Sequence, residues 1–272
     1  MHFLFNYTLV LRLFKVLSFV IFIFLLISCE SEKSNSILVS DSGQTQGTYY
    51  HIKYMIEDGE SLKKNIDSLL IVIDNSLSTY NPNSLISRIN NGEIIATDSM
   101  LRTVFRAANE VYENTNGAFD CSITPLVNAW GFGFSNKEKM DTARVIELLN
   151  LVDFKKIKLS NDTILMNKNM MLDFNSLAQG YTVDLIANMF DTIGLDNYLI
   201  EVGGEIKSKG KNPDNNFWTI GVDRPNEIIN PKDRFQFILN LFNNSLATSG
   251  NYRKFYQENG VKYSHVINPK TG

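Results

Sequence analysis

The segment LDFNSLAQGYTVD, residues 172–184, places a carboxylate and a hydroxyl where a helix is expected to begin. Asp173 ends an apolar stretch that we interpret as a strand, and Ser176 starts a helix predicted for about 176–190. The first N–H groups of a helix lack intrahelical partners, so the combination suits a sugar, a phosphate or a metal-bound phosphate. The alternative is a plain helix cap, in which both side chains satisfy only backbone groups.

The segment GAFDCSITPLVNAWGFG, residues 117–133, follows no helical or strand period and is predicted to be an ordered loop. Asp120 stands beside Phe119, with Trp130 farther along, and aromatic walls with one acid can hold a flat heterocycle. Tyr80 could stack on the same ring. The alternatives are a packed loop in which Asp120 caps a turn, and a Tyr80 that only packs.

Histidine and cysteine are scarce. His51 and His265 lie outside the N-terminal apolar run, and neither has the spacing of a zinc site, which leaves Mg²⁺ as the plausible metal. His265 lies in the polar segment YSHVINPKTG and could be a general base or a structural residue. Cys121 is predicted to be a small buried residue rather than a nucleophile.

The N-terminal residues predict export. Arg12 and Lys15 precede an apolar run that ends in Leu-Ile-Ser-Cys, as in a bacterial lipoprotein signal. We expect a signal peptide over 1–28, and a lipid-carrying Cys29 with a polar tether over 29–39. The alternative is an uncleaved signal anchor. The protein is therefore predicted to be anchored to the inner or outer bacterial membrane and to face the periplasm.

The amino-acid composition indicates the size of the core and the kinds of partner that the protein can bind. The chain has 272 residues, 44% of them hydrophobic, and a net charge of −3, which allows a large core. It has no run of Lys or Arg that would attract a phosphate backbone, so nucleic acid is an unfavourable partner.

Periodicity predicts the elements that position these residues. Helices are expected up to about Ser76, from about Ser99, near 141–150 and over 176–190, with a short turn capped by Ser84. Strands are expected over 47–56, into Asp173, on both sides of Gly203-Gly204, and in the segments KKIKLS, TILMN, NFWTIGVDRP and RFQFILNLFNNSLATSG. This mixture predicts an α+β fold with a mostly antiparallel sheet, as one globular unit from about residue 40.

Taken in order, seven segments resemble the FAD:protein FMN transferase family, the ApbE-type flavin transferases. They are GTYYHIKY, STYNPNSLISRIN, GAFDCSITPLVNAWGFG, LDFNSLAQGYTVD, YLIEVGGEIKSKG, WTIGVDRP, and ATSGNYRKFY with SHVINPKTG. The resemblance spans nearly all of the exported part. It implies an ApbE-like (T-fold-like) domain over 40–272 and a monomeric Mg²⁺-dependent enzyme that transfers FMN from FAD to a Thr of an exported protein.

The resemblance also implies residue roles. It makes His265 the base, lets Ser176 ligate the metal, and puts Gln179 where the family usually has a charged FAD contact. Gln46 replaces a common Met, and Asn268 replaces an Asp in a turn. The FAD contacts it implies are Tyr80, Ala118, Phe119, Asp120, Asp173, Gln179 and Ile267.

The resemblance implies further residues after Gly272, including an Ala-Asp-x-x-x-Thr element with the principal Mg²⁺ ligands. We therefore expect the 272-residue chain to lack its C-terminal segment, to bind FAD weakly at best, and to have an incomplete metal site. Two other functions stay open: an FAD pyrophosphatase that releases FMN and AMP, and a non-catalytic flavin-binding lipoprotein, which suits a shortened chain better.

Overall fold

The computed structural model describes residues 36–133, 136–225, 234–250 and 255–272. The predicted signal peptide, Cys29 and most of the predicted tether lie outside these ranges. No helix within them is long and apolar enough to cross a membrane.

Eleven strands occur in the described parts of the chain, and all of their pairings are antiparallel. Five of them form the main sheet in the order β1-β2-β5-β6-β9, and the others form the hairpins β3-β4, β7-β8 and β10-β11. The strands are β1 (Ile37–Thr45), β2 (Thr48–Ile56), β3 (Lys158–Ser160), β4 (Thr163–Leu165), β5 (Tyr198–Val202), β6 (Glu205–Lys209), β7 (Trp218–Asp223), β8 (Phe235–Leu241), β9 (Ser245–Leu246), β10 (Phe255–Glu258) and β11 (Val261–Ser264).

Six α-helices and one 3₁₀ turn complete the described fold. They are α1 (Lys63–Leu77), α2 (Leu85–Asn90), α3 (Ser99–Asn114), α4 (Thr124–Ala129), α5 (Thr142–Leu149), the 3₁₀ turn Phe154–Lys156, and α6 (Asn175–Thr192). The α+β class with a mostly antiparallel main sheet is confirmed.

Side-chain caps start three of the helices. Ser84 accepts a hydrogen bond from the Ser87 N–H, Asp98 from the Leu101 N–H, and Asp141 from the Arg144 N–H. Such caps stabilise a helix by about 1 kcal/mol each, because they satisfy N–H groups without intrahelical partners. The predicted Ser84 cap is confirmed.

One face of the main sheet packs against α1 and α6. Alternate residues of β2 point inward, so Tyr50, Ile52 and Tyr54 are fully buried. Their partners across β5 are Val202, Ile200 and Tyr198, which are also buried. The period of two in β2 and β5 therefore builds a continuous apolar layer under both helices.

A second apolar cluster joins α1, α2 and α3 to the beginning of α6. Its fully buried side chains include Ile86, Leu101, Phe154, Leu172 and Phe174. The last two flank Asp173 in sequence. Their burial fixes the chain on both sides of that carboxylate.

The segment 171–174 was wrongly predicted as a strand. It pairs with no strand in the described structure. The Leu172 N–H instead donates to Asn90 Oδ1 at 2.8 Å, and the Leu172 carbonyl accepts from Asn90 Nδ2 at 2.8 Å. The apolar pattern reflects burial on the helical cluster, which periodicity cannot distinguish from burial in a sheet.

Other predictions need smaller corrections. The segment predicted as a loop contains α4, whose first turn holds Pro125, a residue that suits helix starts. Strands β1, β10 and β11 were not predicted. The sheet begins at Ile37, before the predicted boundary at residue 40.

The Tyr54 hydroxyl holds the start of α1, and its ionisation is predicted to lower the stability of the protein at alkaline pH. Its hydroxyl donates to Asp41 Oδ2 at 2.7 Å and accepts from the Leu62 N–H at 2.6 Å. Burial, with the neighbouring Asp41 carboxylate, raises the pKa of Tyr54 to about 12.

The folded-state pKa of Tyr54 exceeds the unfolded value of about 10. The contribution of Tyr54 to the free energy of unfolding is therefore complete below pH 10 and is lost as the pH rises toward 12. Burial raises the pKa of Tyr50 and Tyr198 in the same direction. Tyrosine absorbance and circular dichroism measured from pH 8 to 12.5 should show late ionisation together with unfolding. Tyr54→Phe should remove part of the pH dependence; an unchanged alkaline profile would contradict the assignment.

Candidate functional site

The start of α6 presents the predicted carboxylate and hydroxyl. Asp173 is half-buried, its Oδ1 accepts from the Asn175 N–H at 2.6 Å, and its own N–H donates to the Cys121 carbonyl at 2.9 Å. Asp173 therefore forms a turn with Asn175 directly before the helix, and it is not the N-cap of the plainer interpretation, since Phe174 occupies that position without a side-chain cap bond. Ser176 is exposed, and among the described residues none exchanges a hydrogen bond with its hydroxyl, so this group is available to a ligand.

Asn175 connects the start of α6 to the loop that follows α1. Its Nδ2 donates to Asp173 Oδ2 at 3.1 Å and to Thr79 Oγ1 at 3.3 Å. Tyr80 is the next residue along that loop and is 64% exposed. The structure thus brings the loop that carries Tyr80 to the residues beside Asp173, although the two are far apart in sequence.

The predicted triplet 118–120 is held by internal hydrogen bonds. Asp120 is buried; its Oδ1 accepts from the N–H and the hydroxyl of Ser122 at 2.7 and 2.6 Å, and its Oδ2 accepts from the Phe154 N–H at 3.2 Å. Phe119 packs against the helical cluster and Ala118 is exposed. The structure supports the turn-capping interpretation of Asp120, and the flavin contact stays a prediction.

Cys121 lies between the two acids and is buried. Burial, with the nearby Asp173 and Asp120 carboxylates, raises the pKa of its thiol well above the ordinary value. A thiol of this kind is not ionised at neutral pH and makes a poor nucleophile. The prediction of a small buried residue is confirmed.

Two tight turns face the first half of α6. Gly203, in the β5-β6 turn, has a φ of 61°, and a Cβ there would lie 2.8 Å from Gln179 Nε2 and 2.9 Å from Thr48 Cγ2. Only glycine combines this left-handed conformation with so close an approach. The predicted contact residue Gln179 therefore lies directly against the Gly203 backbone.

Gln46, in the β1-β2 turn, contributes a buried acceptor beside α6. Thr182 Oγ1 donates to the Ala178 carbonyl at 2.8 Å, so it accepts from Gln46 Nε2 at 2.7 Å and fixes the amide orientation. Gln46 Oε1 and the neighbouring Thr45 Oγ1 are buried without a hydrogen-bond partner in the described structure. Buried acceptors of this kind are satisfied by donors on a ligand or by water.

His265 and Ile267 lie in the loop after β11. His265 is half-buried, and Ile267 packs on the apolar cluster formed by α4 and α5. Asn268 Oδ1 accepts from the Lys270 N–H at 2.9 Å, so the amide closes the turn as a carboxylate would. The expected tolerance of Asn268 in this turn is supported.

Metal ligation by Ser176 stays a prediction. The described ranges contain no group of three or more His, Cys, Asp or Glu side chains that could hold a metal ion. Ser176 adds one exposed hydroxyl, which alone does not make a Mg²⁺ site.

Sequence reasoning missed the residues that assemble the site. Thr79, Asn90 and Asn175 join segments that are distant along the chain, and they were absent from the predicted set. Asn175, two residues after the predicted acid, was the one with a recognisable signal, because Asx residues near helix starts commonly bond to nearby backbone and side chains.

Comparison with known proteins identifies the family of the chain. Residues 46–272 match the ApbE family. The chain is 34% identical to an FAD:protein FMN transferase of Vibrio cholerae serotype O1, over 91% of this chain and 75% of that protein. It is 31% identical to the Haemophilus influenzae FAD:protein FMN transferase, over 95% of this chain and 79% of that protein.

A solved structure, the flavin transferase ApbE from Vibrio cholerae, superposes with a TM-score of 0.76 at 32% identity, over 87% of this chain and 77% of that one. The similarity to flavin transferases therefore covers the fold and most of the length of the chain, and this chain belongs to the ApbE family.

Proposed function

We propose that this chain is an FAD:protein FMN transferase that attaches FMN through a phosphoester to a Thr hydroxyl of an exported protein. The observation that carries the proposal is the family match over residues 46–272, which includes every residue at which the resemblance implies a role. The hydrogen bonds that join the start of α6, next to Asp173, to Thr79 in the loop that carries Tyr80 support it.

The residues at this site suit a dinucleotide. Tyr80 offers an exposed ring for stacking on a flat heterocycle. The start of α6 offers N–H groups and the Ser176 hydroxyl to a phosphate. The buried oxygens of Thr45 and Gln46 offer acceptors to N–H or O–H groups of the ligand.

In the proposed reaction, His265 takes the proton from the acceptor Thr hydroxyl, and the Thr oxygen attacks the phosphorus of the FMN half. The new bond forms as the bond from that phosphorus to the bridging oxygen breaks, and AMP leaves with that oxygen. Mg²⁺, when bound, supplies neutralisation of pyrophosphate charge. It stays a predicted requirement, with Ser176 as the candidate ligand in this chain.

We also propose that the protein works after export as a monomer, lipid-anchored through Cys29 and facing the periplasm. The motif that ends in Cys29 supports this location. Metabolic labelling with a fatty acid analogue should mark the unaltered chain and fail to mark Cys29→Ala.

The activity test is an incubation with FAD, Mg²⁺ and a Thr-containing acceptor domain of two forms, the 272-residue chain and one that carries the C-terminal element implied by the resemblance. We expect the extended form to add the mass of one FMN to the acceptor, with AMP as the second product, and the 272-residue chain to do so weakly at best. AMP released equally without an acceptor would instead indicate a pyrophosphatase. Intact FAD after incubation would indicate a flavin-binding protein without this activity.

Asp173→Ala should weaken FAD binding by about tenfold or more, since hydrogen bonds to charged groups contribute about 1.5–3 kcal/mol. The free energy of unfolding should fall by about 1 kcal/mol through loss of the hydrogen bond to the Asn175 N–H. Flavin fluorescence titration and thermal unfolding measure the two effects.

Asp98→Ala is the control, because Asp98 also accepts a hydrogen bond from a backbone N–H at the start of a helix, that of Leu101. It should lower stability and leave FAD affinity unchanged. Equal FAD affinities in Asp173→Ala and Asp98→Ala would rule out direct contact between Asp173 and the flavin nucleotide.

A further inference from the structure

Trp130 contacts the chain on both sides of His265, and residues 264–272 are named here the His265 loop. Its ring stacks on Tyr263, directly before the loop, with centroids 5.4 Å apart and planes at 26°. Its Nε1 donates to the carbonyl oxygen of Gly272, at the other end, over 2.8 Å. One side chain therefore spans the loop on which the proposed base is located.

Trp130 is itself held in place by contacts with α4 and α5. It ends α4, its backbone N–H donates to the Leu126 carbonyl at 2.9 Å, and its ring packs with the cluster of α4 and α5. Ile267, in the middle of the His265 loop, packs into the same cluster. The loop is thus held at its start, middle and end by one small region of the protein.

The Gly272 backbone lies very close to side chains of α4 and α5. Gly272 has a φ of 71°, and a Cβ there would lie 2.5 Å from Val145 Cγ1 on α5 and 3.4 Å from Leu126 Cδ2 on α4. Its N–H donates to the Asn268 carbonyl at 2.8 Å, which closes the turn. Glycine at this position lets the loop end reach the Trp130 indole.

The stack continues beyond Tyr263. Tyr256 lies 5.2 Å from Tyr263 at 17°, and Phe132 lies 5.2 Å from Tyr256 at 25°. The Lys137 ammonium lies 4.4 Å from the centre of the Tyr256 ring and pairs with Glu258. The hairpin β10-β11 is therefore held to residues just after α4, which fixes the direction in which β11 delivers the loop.

We propose that Trp130 is a positioning residue that holds the chain on both sides of His265, at Tyr263 and at Gly272, and so sets the place of the His265 imidazole. The inference rests on the proposed function for the role of His265 as the base. Trp130 lies in the segment 117–133 that also contains Asp120 and Cys121, and the Cys121 carbonyl accepts from the Asp173 N–H. One continuous segment thus links the loop of the base to the site at α6.

The test compares Trp130→Leu, Trp130→Phe and Trp218→Phe in the full chain by hydrogen exchange and by steady-state FMN transfer. Trp218 is the matched control, because its Nε1 also donates to a backbone carbonyl, that of Lys209 at 3.0 Å, away from the loop. Trp130→Phe keeps a ring and removes one hydrogen bond, so exchange over 264–272 should rise about fivefold.

Trp130→Leu removes both contacts. It should raise exchange over 264–272 further and lower kcat tenfold or more, with the KM for FAD within twofold. Trp130→Phe should recover most of kcat. Trp218→Phe should leave both the exchange of this segment and kcat unchanged. A Trp130→Leu variant with unchanged exchange over 264–272, or with the kcat of Trp218→Phe, would overturn the proposal.

The exchange measurement separates this proposal from the proposed function. If the unaltered chain transfers FMN and Trp130→Leu keeps its kcat, the positioning role fails and the transferase function stands. If the extended form transfers no FMN, the proposed function fails. The exchange rates over 264–272 then decide by themselves whether Trp130 holds the loop.

Discussion

Replacing Asp120 with Ala should lower the free energy of unfolding by about 3–5 kcal/mol, because three hydrogen-bond donors lose their acceptor inside the protein. Those donors are the Ser122 N–H, the Ser122 hydroxyl and the Phe154 N–H. The melting temperature should fall by about 10 °C, as measured by circular dichroism with chemical denaturation in parallel.

Two comparison variants sharpen the Asp120 result. Asp120→Asn preserves the size of the side chain but points an amide N–H at one of the donors, so it should recover little stability. Asp141→Ala removes the exposed cap of α5 and should cost about 1 kcal/mol. A stable Asp120→Ala variant with sharply reduced FAD affinity would favour the heterocycle-wall interpretation over the turn-capping one.

Replacing His265 with Ala should reduce the rate of FMN transfer by about 100-fold or more, since a positioned base contributes about 10²–10⁴-fold. FAD affinity should stay within about twofold, because the proposed role is proton removal from the acceptor hydroxyl rather than flavin binding. Single-turnover transfer to an acceptor domain, followed by intact-protein mass spectrometry, measures the rate.

His51→Ala is the control for this change. His51 lies exposed on β2 and pairs across the sheet with Ser42 and Glu201. His51→Ala removes an imidazole of the same kind, so the transfer rate of this variant should match that of the unaltered chain. Parallel losses in the two variants, or normal transfer by His265→Ala, would contradict the assignment of His265 as the base.

The helices were predictable because their signals are local. The apolar spacing before Leu77, the Ser84 cap and the stop at Gly117 are all encoded within a few residues of where they act. The Gly117 N–H donates to the Tyr112 carbonyl at 2.8 Å with a φ of 73°, a common way for a helix to end. The hairpin at Gly203-Gly204 was predictable for the same reason.

The errors arose where distant partners decide the structure. The segment 171–174 has an apolar strand pattern, yet its backbone bonds go to Asn90 and Cys121. Strand β1 pairs with β2 along nine residue pairs, but the alternation of apolar residues in its sequence is weak. A one-turn helix such as α4 has too few residues for a period to be seen.

The candidate site was predictable in part. The neighbourhood of Asp173 and Ser176 follows from a turn between an extended segment and a helix, which one short motif contains. Its connection to Tyr80 could not be derived from residue types alone, because it passes through the Thr79 and Asn175 side chains. The role of Trp130 required three-dimensional contacts with residues more than a hundred positions away.

The hydrogen bonds of the Asn90 amide decide which residue of the segment 171–174 faces the site. The amide oxygen accepts from the Leu172 N–H, and the amide nitrogen donates to the Leu172 carbonyl. Together they replace the peptide group of a neighbouring strand. A slip of the chain by one position would exchange Leu172 for a neighbour and turn the acid toward the protein interior. The Asn90 side chain therefore helps to fix the register of this segment. Substitution by Asp keeps the acceptor and removes the donor, so it should weaken the alignment of the Asp173 carboxylate.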